Sequence, residues 1–188
     1  MLIRHGWLAA LLGIGGLLVH ARSDATEYTL DPERTVVSFE MRSMGALQRG
    51  EFSRTAGTVV LDATHESGEL DIVIDARSLR ASSAATVKFV RGPSMLNTEA
   101  HPEIAYRAQR IVFTHGKPSR IDGELTLLGT TRAVPLQISR YHCEVERCAI
   151  VASASVKRSA FGMTRYRLFA SDDVQLAILA EGIRQEEK

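Results

Sequence analysis

The amino-acid sequence predicts an all-β fold, an antiparallel barrel of about eight strands with one short helix. From Tyr28 onward, short runs of alternating apolar and polar residues recur with turn residues between them. This pattern is typical of barrels and sandwiches rather than of βαβ units. A strong hairpin pattern occupies residues 121–139. The runs number roughly eight or nine, which is about the number of strands that closes a barrel around one small ligand.

The first half of the chain holds four predicted strands. In three of these runs, apolar residues at alternate positions share one face of a strand. The runs are residues 35–41 with Val37, Phe39 and Met41 on one face, residues 48–55, residues 58–62 with Val59 and Leu61, and residues 69–76 with Leu70, Ile72 and Ile74.

The single predicted helix covers residues 82–90, where the alternation stops. Two serines at its start suit N-capping, and Gly92-Pro93 after it would end a helix.

The second half of the chain returns to alternation. Its runs are residues 103–108 with Ile104 and Tyr106, their continuation 111–113, the hairpin, residues 149–157 with Ile150, Ala152, Ala154 and Val156, and residues 173–179 with Val174, Leu176 and Ile178. In the hairpin, the apolar positions are Ile121, Gly123, Leu125 and Leu127 before the link Gly129-Thr130-Thr131, and Val134, Leu136 and Ile138 after it. Alternation on both sides of a turn that contains glycine predicts a hairpin with one apolar face.

The N-terminus has the pattern of a signal peptide. Arg4 and His5 are followed by an uncharged, mostly apolar stretch at residues 7–19, and small residues at Ala21 or Ala25 would suit cleavage. A membrane anchor is the alternative, but this stretch is shorter than the roughly 20 apolar residues that span a bilayer. We therefore expect residues 1–25 to be a signal peptide and residues 26–188 to be one domain in the periplasm or outside the cell.

The predicted mature chain carries no strong net charge. Removal of Arg4, Arg22 and Asp24 from the 23 basic and 22 acidic residues leaves 21 of each. Such a balance gives no strong field to attract nucleic acid, so we expect no nucleic-acid partner.

The only two cysteines, Cys143 and Cys148, lie at the ends of adjoining strand patterns. In an oxidising compartment they should form a disulfide across a hairpin tip. Redox catalysis is the alternative, but the spacing is not the C-x-x-C that lowers a thiol pKa.

No metal-binding or catalytic motif is evident. His65, His101, His115 and His142 follow the leader without H-x-x-x-H or H-x-H spacing, which argues against a metal site. The sequence has no G-x-S-x-G and no identifiable pair of acid and base carboxylates, although a triad can be assembled from distant residues. We expect no metal, no required cofactor and no enzymatic activity.

Several short motifs follow one another across residues 26–188. They are YTLDPERTVVSFEM at residues 28–41, RGEF at 49–52, GELTLLGTTRAVPL at 123–136 and RSAFGM at 158–163. In this order they resemble the YceI-like family, with its YxxDxxxSxVxFxV, RGxF, GxLTxxGxTxxVxL and RxxFG(M) elements; Thr35 replaces the usual serine. The resemblance implies a secreted, lipocalin-like barrel that holds a long apolar ligand such as a polyisoprenoid.

The chain departs from the family pattern before the strand at residues 103–108. Many family members carry R-D-x-H-L where this sequence has TVKFV at residues 86–90, and Met95-Leu96 replace a pair of phenylalanines. The charged Asp and His are missing, so no polar or metal-dependent role of those positions is carried over. We expect the ligand or its head group to differ accordingly.

The resemblance also implies that the inward residues contact a bound isoprenoid or fatty lipid. Alternation alone indicates only a core, because barrels of this size are also filled by side chains. An apolar lining suits an isoprenoid, since each buried CH₂ contributes about 0.8 kcal/mol. The predicted ligand-binding residues are Phe39, Met41, Leu61, Ile72, Ile74, Tyr106, Leu125, Leu127, Leu136, Ile138, Phe161, Leu176 and Ile178.

Three arginines, Arg158, Arg165 and Arg167, flank the Phe161-Gly162-Met163 segment. They would receive a polar or anionic head group at the barrel mouth through charge-assisted hydrogen bonds. Solvated surface arginines are the alternative.

These features favour a protein that sequesters or carries an isoprenoid, polyprenyl or quinone-like lipid. One alternative is an enzyme acting on a lipid in the same cavity, for which Tyr106 is the only inward titratable candidate. The other is a structural or interaction module whose barrel holds no ligand. The resemblance further allows a membrane redox or lipid-handling partner, and a homodimer stays open.

Overall fold

The computed structural model describes residues 25–64 and 66–186. Their twelve strands belong to one antiparallel sheet. The strands are β1 Thr26–Leu30, β2 Val36–Ser43, β3 Ala46–Phe52, β4 Thr55–Asp62, β5 Ser67–Asp75, β6 Leu79–Ala81, β7 Glu103–Thr114, β8 Lys117–Leu127, β9 Thr130–Ala133, β10 Leu136–Cys143, β11 Arg147–Lys157 and β12 Asp173–Arg184. Short 3₁₀ turns cover Ala76–Ser78 and Arg158–Phe161, and the helix α1 covers Ala84–Arg91.

Eight of these strands form a closed barrel, which confirms the predicted fold. The order around it is β1, β4, β5, β7, β8, β10, β11 and β12, and β12 pairs with β1 to complete the ring. The strand β12 pairs with β1 near its C-terminal end and with β2 nearer its start, where Leu176 lies opposite Phe39. From there β2, β3 and β6 continue the sheet, and inward residues of β2 and β3, among them Phe39 and Phe52, complete the wall of the interior.

The helix α1 lies where the sequence predicts it. Ser83 is its N-cap, and the Ser83 hydroxyl accepts a hydrogen bond from the Thr86 amide at 3.1 Å. The helix ends at Arg91, immediately before Gly92-Pro93. The Arg91 guanidinium donates to the Leu79 carbonyl at 3.0 Å and so fixes the helix against β6.

The predicted hairpin at residues 121–139 is present, but its turn lies earlier than expected. Leu128 and Gly129 occupy the turn, with φ angles of 53° and 71°, as two-residue hairpin turns of the I′ type require. Thr130 and Thr131, predicted as part of the link, belong to β9 and pair with β8. The second arm is interrupted at Pro135, which has no amide hydrogen for a strand ladder.

Other boundaries also differ from the predictions. Residues 48–55 are not one strand, because β3 ends at Phe52 and the chain turns at Ser53-Arg54 before β4. Residues 103–108 and 111–113 form one strand with a register shift after Ala108. The short strands β1 and β6 were not predicted, since neither is long enough to show alternation.

The barrel has two distinct ends. The α1 end is formed by α1, the turns at residues 92–102 and the segment at residues 158–171. The disulfide end carries the β10–β11 hairpin tip with Cys143 and Cys148. The strand β11 runs from one end to the other over eleven residues.

An ion-pair cluster fixes the disulfide end. Arg147 on β11 donates to Asp31 at 3.0 Å and to Glu181 on β12 at 2.7 Å. The Arg147 hydrogen bonds hold the pKa of Asp31 and of Glu181 below their ordinary values.

Two predictions fall mainly on residues that the structure does not describe. The predicted signal peptide, residues 1–25, lies outside the described ranges except for Ala25, and His65 is also outside them. Within residues 25–64 and 66–186, no helix has both the length and the apolar character to cross a bilayer.

Candidate functional site

The candidate site is the interior of the barrel, where the structure has two apolar cavities. The larger has a volume of about 100 Å³ and lies at the α1 end. All of its lining residues are apolar except Arg158. They are Val37, Phe39, Met41, Phe52, Ile74, Val90, Met95, Leu96, Ile104, Leu125, Leu127, Val156, Met163, Val174 and Leu176.

The second cavity lies toward the disulfide end and has a volume of about 60 Å³. Tyr28, Tyr141 and Cys148 contribute to its wall together with aliphatic side chains from β1, β4, β5, β7, β8, β10, β11 and β12. The aliphatic contributors include Leu30, Val59, Leu61, Leu70, Ile111, Ile121, Ile138 and Ile150.

A belt of four residues separates the two cavities; we call it the central belt. Its members are Ile72 on β5, Tyr106 on β7, Gly123 on β8 and Ile178 on β12. On the same strand, each is two positions from a residue that lines the larger cavity; in the same order, these residues are Ile74, Ile104, Leu125 and Leu176. On their other side, the same strands contribute Leu70, Ile111, Ile121 and Ala180 to the smaller cavity. Inward positions repeat every second residue along a strand, so one line of inward side chains connects both cavities.

Tyr106 is the polar member of the central belt. Its hydroxyl donates to the Val134 carbonyl at 2.8 Å, and burial raises its pKa well above the ordinary tyrosine value. The phenol therefore stays protonated at neutral pH. Its hydrogen bond is directed at backbone, and Gly123 leaves the room that the phenol occupies.

Of the thirteen predicted ligand-binding residues, eight belong to the buried apolar cluster of the interior, and the other five, Leu61, Ile72, Ile138, Leu176 and Ile178, are partly buried and pack against it. Six of them, Phe39, Met41, Ile74, Leu125, Leu127 and Leu176, line the larger cavity. Leu61 and Ile138 line the smaller one. The remaining five lie in the core without lining either cavity: Ile72, Tyr106, Leu136, Phe161 and Ile178.

Part of the larger cavity's wall was absent from the predicted set. Val37, Ile104, Val156 and Val174 were placed on the apolar faces of their strands by alternation, but they were not included in the predicted ligand-binding set. Val90, Met95, Leu96 and Met163 come from α1 and irregular segments, where no period marks the inward face. Val90, Met95 and Leu96 are also positions at which the chain departs from the family pattern.

The three predicted head-group arginines occupy two different environments. Arg158 is only 1% exposed. Its guanidinium donates to the carbonyls of Met163, Arg165, Ala170 and Ser171. Arg158 thus holds the segment at residues 158–171 in place and presents one face to the larger cavity.

Arg165 and Arg167, by contrast, are exposed on that segment. Among the described residues, neither forms an ion pair. The structure therefore does not bring the three guanidinium groups together as one cluster, although all three lie at the α1 end.

Cys143 and Cys148 are joined in a disulfide, as the sequence predicts. They lie directly opposite each other in the β10–β11 ladder. The intervening turn is closed by the Glu144 amide, which donates to the Arg147 carbonyl at 2.7 Å.

Within the described part of the chain, no group of three or more His, Cys, Asp or Glu side chains is arranged to hold a metal ion. His101, His115 and His142 are distributed over separate turns and strand ends.

Comparison with known proteins gives consistent matches. The family model described as the YceI-like domain matches residues 28–181. A UPF0312 protein of Pectobacterium atrosepticum is 27% identical over 188 residues, covering 95% of this chain and 97% of that protein. A UPF0312 protein of Pseudomonas aeruginosa is 26% identical over 187 residues with the same coverage.

Solved structures share the fold. BcnA of Burkholderia cenocepacia superposes with a TM-score of 0.69 at 20% identity, covering 81% of this chain and 98% of that one. A polyisoprenoid-binding domain from Saccharophagus degradans, implicated in plant cell wall breakdown, gives a TM-score of 0.66 at 14% identity, covering 84% and 98%. A Campylobacter jejuni YceI protein gives 0.62 at 18% identity, covering 73% and 85%.

Proposed function

The chain belongs to the YceI-like family, and we propose that it binds a long-chain isoprenoid or similar apolar lipid inside its barrel. The observation that carries this proposal is the larger cavity, whose wall is apolar apart from the Arg158 guanidinium. The name of the Saccharophagus degradans neighbour supports the ligand class. Burial of apolar chain surface would supply the affinity, at about 0.8 kcal/mol for each CH₂.

The interior has to widen when the ligand binds. Its larger cavity has a volume of about 100 Å³, whereas ligand pockets usually exceed roughly 300 Å³. Three methionines, Met41, Met95 and Met163, line this cavity. Methionine is unbranched and has three rotatable bonds, so it repacks around an inserted chain at low cost. We propose that these side chains move aside as the lipid enters from the α1 end.

The central belt sets how far the lipid reaches. A short chain would fill only the space near α1, whereas a long one has to pass Tyr106 and Ile178 to reach the smaller cavity. Because the same strands line both cavities, a single extended chain would follow the inward line of side chains. We propose that the bound lipid extends along this line with its head group at the α1 end, near Arg165 and Arg167.

We propose binding without covalent chemistry. The inward tyrosine that an enzyme would use, Tyr106, has a pKa raised by burial and donates to backbone. A general base at neutral pH would need a pKa near that pH. This observation favours sequestration or transport over catalysis on a lipid substrate.

We further propose export to the periplasm. Residues 1–25 would serve as the signal peptide and residues 26–188 as one lipid-binding domain. The disulfide between Cys143 and Cys148 supports an oxidising compartment. A membrane redox or lipid-handling partner would deliver or receive the lipid.

Mass spectrometry of organic extracts from natively purified protein tests the proposal. We expect a co-purified lipid with a long apolar chain, in a near-stoichiometric amount. Extracts without lipid, together with failure to take up added polyprenyl lipid, would overturn the proposal in favour of a barrel filled by its own side chains. Turnover of the lipid by the purified protein would instead favour the enzyme.

A further inference from the structure

The α1 end carries a cluster of exposed apolar side chains that the cavity does not use. Leu168 is 91% exposed, Met44 83% and Phe169 60%, and Leu47, Tyr166 and Phe89 are exposed by about two fifths. None of the six lines the interior cavities. We call this set the apolar rim. Exposed apolar clusters of this kind mark interaction surfaces.

The apolar rim is continuous, although its members come from three separate segments. The Met44 amide donates to the Phe169 carbonyl at 2.6 Å, which joins the β2–β3 turn to the segment at residues 158–171. A bridge between Ser43 and Ala170 lies next to that contact. The rings of Phe89 on α1 and Tyr166 meet edge to face with their centroids 5.2 Å apart.

The three segments that carry the apolar rim have charged residues of one sign, with Glu40, Glu99 and Asp172 next to their ends. The segments at residues 41–49, 84–98 and 158–171 contain no Asp or Glu. Arg49 pairs with Glu40, and the segments contribute four further exposed cations: Arg42, Lys88, Arg165 and Arg167. Within the described ranges, these four side chains form no ion pair. The chain is nearly neutral as a whole, with a formal charge of +1, so the fold has concentrated unpaired positive charge beside exposed apolar groups.

We propose that the apolar rim docks on the surface of an anionic lipid bilayer. Leu168 and Phe169 would insert at the headgroup boundary, while Arg165, Arg167 and Lys88 contact anionic headgroups. This combination of an apolar face with flanking cations is the chemistry of interfacial membrane binding. The rim surrounds the end at which the larger cavity lies, so docking would bring the cavity to the bilayer. The proposal concerns the outer surface and does not depend on which ligand the barrel holds.

Vesicle co-sedimentation tests the proposal with the purified protein. The probes are vesicles of phosphatidylethanolamine and phosphatidylglycerol in a 7:3 ratio and, for comparison, vesicles of phosphatidylcholine alone. We expect binding to the anionic vesicles that weakens with added salt, and at least tenfold weaker binding to the neutral ones. Failure of the protein to bind the anionic vesicles, or equal binding to both kinds, would overturn the proposal.

Matched variants locate the surface. Leu168→Ser with Phe169→Ser should weaken binding at least tenfold. Val145→Ser, at the disulfide end where Val145 is 75% exposed, should have no effect. Arg165→Gln with Arg167→Gln should weaken it roughly fivefold for each cation removed.

The charge-matched control is Arg140→Gln with Arg184→Gln, which should change little. If the control variants lost as much vesicle binding as the variants of the apolar rim and its cations, the assignment of the site would be overturned. Concentration-dependent self-association that the Leu168→Ser and Phe169→Ser pair abolishes, without vesicle binding, would overturn the proposal in favour of a second copy of this chain as the occupant. The amount of lipid extracted from the same variants should also be measured. A variant that loses vesicle binding but retains its bound lipid would show that membrane docking and lipid binding in the cavity are separate properties.

Discussion

The hydroxyl of Tyr106 lies directly over the backbone of Gly123. A Cβ atom at position 123 would stand 2.5 Å from that oxygen and 2.8 Å from the Arg107 carbonyl. The missing side chain on β8 therefore makes room for the phenol on β7, and the phenol in turn reaches the Val134 carbonyl. This packing lies in the interior between the two cavities.

Gly123→Ala should destabilise the protein by about 1–3 kcal/mol, because the added methyl group overpacks the central belt and displaces the Tyr106 hydroxyl. Thermal or urea unfolding measures the change. Glu124→Ala, at the exposed neighbouring position, is the control and should leave stability nearly unchanged. An unaltered unfolding midpoint for Gly123→Ala would contradict the packing described for Tyr106.

Leu125→Asp should abolish lipid retention, since Leu125 lines the larger cavity and an unpaired carboxylate there opposes an apolar ligand. Extracted lipid per mole of protein is the measurement, with circular dichroism to establish that the variant is folded. Leu125→Asn provides a neutral version should the charged one not fold. Glu124→Ala should retain lipid normally, and the reverse order of effects would mean that the ligand does not occupy this face of β8.

Arg158→Lys should cost about 1–3 kcal/mol of stability, the penalty for a buried carbonyl left without a donor, even though the charge is kept. The guanidinium donates to four carbonyls, and a lysine ammonium has only three donors on a flexible stem. Chemical unfolding of the variant gives the loss. Arg165→Lys, on the same segment but exposed, is the matched control and should be neutral. Equal stability of the two variants would show that Arg158 does not hold the segment.

Cys143 and Cys148 should be bridged in the isolated protein, and replacing both with serine should cost about 2 kcal/mol in the loop-entropy model for so short a loop. Intact-mass measurement with alkylation, before and after reduction, determines the bridge. Two thiols alkylated without reductant would contradict it. The reduced protein should keep its cavities, because the bridge closes a turn that the β10–β11 ladder already forms.

Stability should fall as the pH drops from about 5 to 3. Hydrogen bonds from Arg147 hold the pKa of Asp31 and of Glu181 below the unfolded values. Carboxylates with a lowered pKa in the folded state stabilise it above their unfolded pKa of roughly 4, and this contribution disappears as the pH falls through the folded value. Unfolding midpoints across this range measure the effect. Arg147→Gln should flatten the acid dependence, whereas Arg140→Gln should preserve it.

The sequence predicted the barrel because its evidence is local. Alternation identified which side of each long strand faces inward, and the thirteen predicted residues all lie in the core cluster or pack against it. The serine cap and Gly92-Pro93 likewise predicted α1. Turn positions were less certain: several residues near Gly129 are compatible with a turn, and only the pairing of β8 with β9 selects Leu128-Gly129.

The cavity wall was predicted only in part. Met95, Leu96 and Met163 lie in irregular segments, where neither spacing nor hydrophobicity shows that a side chain will line a space instead of filling one. Arg158 is a stronger example. In the sequence, Arg158 lies close to Arg165 and Arg167, and this spacing suggests a cluster of surface arginines. Only the backbone carbonyls that surround Arg158 explain why this residue is 1% exposed.

The sequence by itself determined the strand phases, the helix, the cysteine pair and the family, because each depends on residues close together in the chain or on motifs in a fixed order. Tertiary structure alone decided that the interior is divided at Tyr106 and Gly123. It also decided that Arg158 separates from Arg165 and Arg167, and that apolar and basic residues from three segments meet at the α1 end. The physical reason is that volume, burial and surface charge arise from contacts between distant residues, and these are fixed only when the sheet closes.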